Sequence, residues 1–327
     1  MRLSDMALYL TYDNQAMQDG LGAQALRITG VYSIAKQFRV KYLHSPIEKA
    51  IEDIAHNLGG GVSLDALIGQ VNSFFSFPSD ELMDSEVTHI YTRTLSRKRL
   101  MQLILKSFLS QRNLVVHILI PMGVLDKMPN AYRFATSILR RNNSDLLNGE
   151  IGFPLLAHVR RGYDEKYANK QYATGRHLPF SYFSDAIAVS CAKFNVPKES
   201  KLHIHTDLVN KPTKWKPSQE GIIEGFKSNS GHEDVSYIQL EPYDLTRHVA
   251  CPENYELEIH YCDPIMKTFL DMCTAKVLIQ GKSALSYLAG IVNENTVISP
   301  INQSHAKLPR WHSSVSIGVE IREPMLG

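Results

Sequence analysis

The stretch LLAHVRRG at residues 155–162 decides the fold, because it joins an apolar strand to a charged turn. The strand ends by placing His158, Arg160 and Arg161 just before a glycine. Buried parallel strands are apolar, and open α/β sheets bind ligands just beyond the carboxyl ends of such strands. The arginine fork stays charged and binds diphosphate oxygens in a bidentate way, so this stretch predicts an anion site. The alternative is a solvated strand end with two surface arginines.

The composition is that of a globular protein with little overall charge. The chain has 327 residues, enough for two domains, and is 44% hydrophobic and 21% charged. A net charge of +2 argues against a nucleic-acid binder. No stretch approaches the ~20 apolar residues that span a membrane. Four cysteines without CxxC spacing favour reduced thiols. We therefore expect a cytoplasmic protein with no membrane span and no nucleic-acid partner.

The first half of the chain begins like a Rossmann-like domain. We expect a strand at residues 7–12, a helix at 23–38 and a second strand at 40–43. Between the first strand and the helix, Gly20 and Gly22 would let a ligand approach the backbone and the N–H groups of the helix start. An ordinary tight turn is the alternative explanation of these glycines. Further elements are expected as helices at 47–58, 96–110 and 129–147 and a buried strand at 114–120.

The second half alternates more cleanly between strands and helices. This alternation predicts a second parallel sheet with helices on both faces. A last, strand-like segment is expected at residues 315–321, and Asp263 is expected to cap a helix whose first residue is Pro264. The strands are expected at 153–159, 201–207, 235–240, 276–280 and 296–300, and the helices at 179–194, 217–227, 263–273 and 284–292.

Polar residues follow three of these strands, at 158–162, 206–207 and 280–283. In one parallel sheet all three segments would project from the same edge, where they would form a nucleotide site.

Each residue type in this set suits a nucleotide. Arg160 and Arg161 would hold the diphosphate, and Asp207 would accept hydrogen bonds from a ribose or a base edge. Ser283 and the N–H groups that open the helix at Ala284 would take a phosphate. Taken singly, Asp207 is also a strand-end turn former and Ser283 a helix cap.

Four segments carry, in order, a resemblance to a known family. The segment GLGAQ at 20–24 resembles the signature GGLGNQ, and HVRRG at 158–162 resembles HxRRGDY. The strand at 204–207 resembles one that ends in SDD, and residues 272–300 resemble the segment NSSFSWWGAYL with its following strand. Over about residues 7–300, the chain thus resembles the fucosyltransferase superfamily of GT-B glycosyltransferases, closest to the bacterial-type α-1,2-fucosyltransferase branch.

The resemblance implies an α/β fold with two Rossmann-like domains that face each other across a cleft. Residues 1–150 would form the acceptor-side domain, residues 151–300 the domain that binds a nucleotide sugar, and residues 301–327 a tail. The implied activity is inverting and metal-independent, and it moves a sugar, first of all fucose from GDP-fucose, to a hydroxyl of a glycan acceptor.

The resemblance also assigns roles to residues. Arg160 would stabilise the charge that builds on the β-phosphate, with support from His158 and Arg161. Because arginine would neutralise that charge, we expect no metal and no cofactor, and no clustered His/Cys set in the sequence suggests zinc. The general base for the acceptor hydroxyl is expected to be Asp19. Donor binding is expected from Gly20, Gly22, His158, Arg160, Arg161, Asp207, Lys282, Ser283 and Ala284.

Departures from the family pattern keep alternatives open. Gly162 is followed by Tyr163 and Asp164 in reversed order, and the serine-rich segment is only partly kept. Asp13 and Asp164 are therefore alternative bases. Another GDP- or UDP-linked sugar, such as xylose or rhamnose, is the alternative donor. A non-catalytic protein that binds a nucleotide or sugar on a transferase scaffold is the alternative function, whereas a hydrolase is disfavoured because the GxSxG motif is absent.

Overall fold

The computed structural model of the chain describes two compact units. The first unit takes in the described residues within 1–50, 65–146 and 304–309, and the second those within 51–64, 147–303 and 310–327. No helix in the described part of the chain is long and apolar enough to cross a bilayer. The described residues are 8–14, 20–50, 62–82, 87–110, 112–148, 152–160, 177–215, 238–240, 242–301, 303 and 305–320.

The first unit is built on a parallel sheet of four strands. The spatial order is β2-β1-β4-β3, so the chain order reverses between β1 and β4. The central strand β1 is buried along its whole length, as its apolar sequence requires. The strands are β1 (Leu8–Tyr12), β2 (Lys41–Tyr42), β3 (Val87–Thr94) and β4 (Asn113–Ile120). The helices are α1 (Leu21–Phe38), α2 (Leu64–Phe74), α3 (Arg97–Ser110), α4 (Met122–Leu125), α5 (Tyr132–Asn142) and α6 (Ser144–Asn148).

The second unit is built on a parallel sheet of six strands. The strands are β5 (Leu156–Val159), β6 (Lys201–Thr206), β9 (Glu256–Tyr261), β10 (Val277–Ile279), β11 (Thr296–Ser299) and β12 (His312–Ser313). The spatial order is β12-β11-β10-β5-β6-β9. Numbered within this unit, that is the order 3-2-1-4-5-6 of dinucleotide-binding Rossmann domains, which reverses between β5 and β10. A separate antiparallel pair is formed by β7 (Thr213–Trp215) and β8 (Ile238–Leu240).

The two faces of this second sheet differ in character. On one face, Val159 and Ile204 belong to an apolar core with Tyr182 and Ile187 of helix α7 (Phe180–Lys193). On the other face, the histidine His205 of β6 meets helix α8 (Ile265–Thr274), which is followed in the chain by α9 (Ala284–Val292). Because successive residues of a strand point to opposite faces, the alternation His-Ile-His in β6 puts its apolar residues on the α7 face.

Most of the predicted elements are found within one to three residues of their expected ends, but four predictions are wrong. The strand expected at 235–240 does not join the parallel sheet: its described residues, 238–240, form β8 of the antiparallel pair. The strand expected at 315–321 is not found in its described residues, 315–320, where a 3₁₀ helix covers Val315–Ile317; the last strand of the described residues is β12. The single helix expected at 129–147 is interrupted and forms a 3₁₀ turn followed by α5 and α6. Pro264, not Asp263, is the cap of α8, and it makes no side-chain cap hydrogen bond.

Some elements of the structure were not predicted, and some predicted elements lie partly or wholly outside the described residues. The sequence did not indicate α2, β3 or β9. In the region of the helix expected at 47–58, residues 47–50 have no regular structure, and residues 51–58 lie outside the described residues. The helix expected at 217–227 also lies outside them.

The close packing of Gly152 against the backbone of Thr274 can be tested by substitution. A Cβ on Gly152 would overlap the backbone carbonyl of Thr274 at the end of α8. We expect Gly152→Ala to lower the free energy of unfolding by about 1–3 kcal/mol, because backbone must move to make room. Gly69 in α2 is the control: a Cβ there meets nothing within 4 Å, so Gly69→Ala should raise stability by about 0.5–1 kcal/mol. Urea unfolding of both variants measures the difference. Equal unfolding midpoints for Gly152→Ala and Gly69→Ala would contradict the close packing at Gly152.

Candidate functional site

Three polar segments project from one edge of the second sheet. Strand β5 pairs with β10 on one side and with β6 on the other, and all three are parallel. Arg160, Asp207 and Gln280 therefore follow the carboxyl ends of adjacent strands. The expectation that the three segments share an edge is confirmed. This edge includes the point between β5 and β10 where the strand order reverses, which is where open α/β sheets bind ligands.

Arg160 and Asp207 form an ion pair across the edge. The Arg160 Nε atom lies 3.9 Å from Asp207 Oδ2, with the arginine side chain 48% exposed and the aspartate 15% exposed. An ion pair this open to solvent contributes little to stability. Its effect is to hold the guanidinium near the end of β6 while leaving much of it accessible to an anion.

His158 is buried directly behind Arg160. It is 6% exposed, and its Nδ1 has no hydrogen-bond partner in the described part of the chain. Burial, followed by the positive charge of Arg160 and the neighbouring His205, lowers the pKa of His158 to about 3. The imidazole is therefore neutral at physiological pH. Buried polar atoms without a partner are rare and costly, so such an atom next to a candidate site is notable.

The turn after β10 packs against this histidine. A Cβ on Gly281 would lie 2.5 Å from the His158 carbonyl oxygen and 3.6 Å from His158 Nδ1, so only glycine fits there. The turn is fixed by Ser286, whose hydroxyl donates to the Gly281 carbonyl at 2.9 Å. Buried Gln280 donates from Nε2 to the Ser286 carbonyl at 2.8 Å. The close contact brings the start of α9 next to His158.

Ser283 is the cap of α9, which is the alternative role that was expected for this residue from the sequence. Its hydroxyl oxygen accepts a hydrogen bond from the Ser286 amide at 3.2 Å, while its own O–H can still donate. The amide N–H groups of Ala284 and Leu285 have no partner among the described residues. Lys282 lies in the same turn, and partial burial lowers the pKa of its ammonium group. This helix start therefore offers several donors to one anion.

The glycines of the amino-terminal segment belong to the first unit. Gly20 precedes α1 with φ of −63° and ψ of 151°, which any residue adopts, and a Cβ there would meet nothing within 4 Å. Gly22 lies in the first turn of α1. The backbone itself thus does not require glycine at position 20, and the space beside it remains open.

Gln24 in α1 has a structural role that the sequence did not reveal. It is fully buried, donates from Nε2 to the Lys49 carbonyl at 2.7 Å, and accepts from the Tyr12 hydroxyl at 3.4 Å. The glutamine of the GLGAQ segment therefore ties α1 to β1 and to the loop after β2.

Several of the expected site residues cannot be placed. Asp19, Arg161 and Asp164 lie outside the described residues. Of the three candidate bases, only Asp13 is described: it follows β1, is 7% exposed, and donates its amide N–H to the Ile118 carbonyl at 3.0 Å. The roles of Asp19 and Arg161 remain predictions.

The α8 face of the second sheet carries a histidine cluster that the sequence analysis missed. His158, His205 and His260 are in register across β5, β6 and β9. The sequence shows no such set, because the three histidines lie on different strands. Donor atoms of His203, Glu258 and His260 lie within 4.8 Å of one another, as do those of His205, His260 and Asp263. The alternation of histidine with isoleucine in β6 is a local signal, but only strand pairing brings His260 to it.

Comparison with known proteins does not assign the chain to a family. No protein-family model matches the sequence, and no curated protein matches it. Among solved structures, a mutant of Arabidopsis thaliana FUT1 in complex with GDP is 10% identical, covers 89% of this chain and 70% of its own, and has a TM-score of 0.39. The E. coli heptosyltransferase WaaC with ADP is 9% identical, covers 94% of this chain and 92% of its own, and has a TM-score of 0.35. Both TM-scores lie below 0.5, so the inferences below rest on this chain's own residues.

The buried state of His158 predicts a pH dependence of stability. Between its ordinary pKa of 6.5 and its folded pKa of about 3, the unfolded chain binds a proton that the folded chain does not. The free energy of unfolding therefore falls as pH falls through this window. Any stability advantage of wild type over His158→Leu should shrink by about 1–2 kcal/mol from pH 7 to pH 5. Urea unfolding at both pH values measures the difference, and a difference independent of pH would show that His158 is not buried in the neutral form.

Proposed function

We propose that this chain is a glycosyltransferase that uses a nucleoside diphosphate sugar as donor and a glycan hydroxyl as acceptor. One observation carries the proposal: Arg160, Asp207 and the start of α9 meet at the edge where a Rossmann strand order reverses. An arginine fork and a helix start are the protein groups that suit a diphosphate. Three of the four sequence segments that resemble the fucosyltransferase superfamily contain these strand ends.

The proposed reaction inverts the configuration at the anomeric carbon. The acceptor oxygen attacks that carbon as its bond to the β-phosphate oxygen breaks, and the hydroxyl proton passes to a general base. Negative charge builds on the departing diphosphate. Arg160 and the N–H groups at the start of α9 are positioned to stabilise this charge, so the transfer itself requires no metal.

The other candidate residues take roles that were expected from the sequence. Asp207 orients Arg160 or accepts from a ribose hydroxyl, and Lys282 adds positive charge beside the helix start. In the first unit, Gly20 and Gly22 are proposed to bind the donor, and Asp19 is the proposed base. GDP-fucose is the proposed donor, and another GDP- or UDP-linked sugar is the alternative.

Nucleotide binding should depend on Arg160. We expect GDP to raise the melting temperature of the wild-type protein, because a ligand that binds only the folded state stabilises it by mass action. The shift should disappear in Arg160→Ala and persist in Arg97→Ala, which removes an exposed arginine from α3. A panel of GDP, UDP, GDP-fucose, GDP-mannose and UDP-sugars identifies the donor class. A folded wild-type protein with no shift for any nucleotide would refute the proposal.

Turnover numbers of two variants should distinguish the contribution of the Arg160 charge from that of its bidentate guanidinium. With GDP-fucose and a panel of glycan acceptors, we expect Arg160→Ala to lower kcat by about 10²–10³-fold, as for other lost transition-state donors. Arg160→Lys keeps the charge but loses the bidentate fork, so its kcat should fall between the two. Release of GDP coupled to product formation is the measurement. Nucleotide binding without turnover on any acceptor would instead favour the non-catalytic alternative.

A further inference from the structure

We propose that β6 and β9 carry a site for a divalent transition-metal cation of the zinc class, with His203 Nδ1, His260 Nε2 and the Glu258 carboxylate as ligands. The site lies on the α8 face of the second sheet, within the strands and not at their carboxyl ends. It does not depend on the proposed glycosyltransferase function, and we assign it no step of that reaction.

Strand pairing sets the geometry of the three ligands. His203 and Glu258 are register partners on adjacent parallel strands, and His260 lies two residues further along β9, so all three point to the same face. His203 Nδ1 is 2.9 Å from His260 Nε2, and His260 Nε2 is 3.9 Å from Glu258 Oε1. Ligands on paired strands are held more precisely than ligands on loops.

The donor set is that of zinc. Two imidazole nitrogens and a glutamate oxygen are a known three-ligand set for Zn²⁺, which binds nitrogen and oxygen at about 2.0–2.2 Å and leaves a further position to solvent. Donor atoms around such an ion are separated by roughly 3–3.5 Å. The observed separations bracket this range, and the 42% exposed side chain of Glu258 can adjust.

The surroundings of His260 support a metal ligand. Histidines that bind metals usually direct their other nitrogen to a carboxylate, which fixes the ring. His260 Nδ1 lies 3.5 Å from Asp263 Oδ2, and Asp263 is held in turn by Lys267 Nζ at 2.8 Å. The ring of Phe153 stacks on His203 with centroids 3.7 Å apart and shields one side of the pair.

Competing arrangements are weaker for physical reasons. Lys201 Nζ contacts Glu258 Oε2 at 3.2 Å, but both side chains are exposed and such a pair is easily replaced. The neighbouring set of His205, His260 and Asp263 is less suitable, because Lys267 already supplies positive charge to Asp263. A hydrogen bond between His203 and His260 without a metal is the remaining alternative, and the experiment distinguishes it.

The test uses tag-free, chelator-treated protein titrated with Zn²⁺ and with Co²⁺. We expect one equivalent of metal to bind, to raise the melting temperature, and to give the visible d–d absorption of Co²⁺ in a nitrogen-oxygen site. His203→Gln and Glu258→Gln should each weaken binding by at least about 10-fold. Asp263→Asn, which acts through His260, should weaken it by about 10–100-fold and change the Co²⁺ spectrum.

The chain offers a matched control in the first unit. His89 Nδ1 and His117 Nε2 lie 3.0 Å apart, but the described residues provide no carboxylate that completes a metal set with them. His89→Gln should therefore bind metal as the wild type does. Circular dichroism of every variant establishes that it is folded. Absence of metal binding in the wild type, or binding equally strong in His203→Gln and Glu258→Gln, would overturn the proposal and leave the hydrogen-bonded pair.

Discussion

The second unit depends on the pairing of β5 between β6 and β10. Because β10 joins the sheet on the opposite side of β5 from β6, the strand order reverses there. In open α/β sheets a crevice for a ligand lies at such a reversal point, beyond the carboxyl ends of the strands. The positions of Arg160 and of the start of α9 both follow from this single topological feature.

Burial of His158 follows from the same pairing. The turn after β10 approaches the His158 carbonyl so closely that only Gly281 fits, and the imidazole is enclosed as a result. Enclosure beside Arg160 lowers the pKa of His158, so a neutral ring lies under a permanently charged guanidinium. The fixed positive charge of Arg160 therefore remains at the edge without a second charge on the neighbouring His158.

Sequence patterns identified the buried strands and the edge strand β2, but they missed the edge strands β3 and β9. Strands β4 and β6 are almost wholly buried and were predicted, and so was the Ser283 cap, which depends on residues three apart. Strands β3 and β9 end their sheets and are largely exposed or half-buried. An apolar run marks a strand only where both faces are covered, so these edge strands gave little signal.

Long-range contacts account for the parts of the site that the sequence did not reveal. Asp263 precedes a proline in a pattern typical of a helix cap, but its carboxylate instead binds Lys267 and lies near His260. The contact between His203 and His260 joins residues far apart in the chain and depends on β9, which was not predicted. The cap pattern at Asp263 fails because its carboxylate pairs with Lys267, four residues on, and the helix cap is Pro264.

The α8 face shows how the centre of the sheet and its edge are coupled. His158, His205 and His260 are adjacent across three strands, and His205 is almost fully buried with Nε2 hydrogen-bonded to Asp271 at 3.0 Å. Burial is the main cause that lowers the pKa values of His158 and His260, and repulsion from His205 adds to it. Such interactions are only weakly screened in a buried row. Repulsion from His205 therefore adds to the burial that keeps His158 neutral beside Arg160.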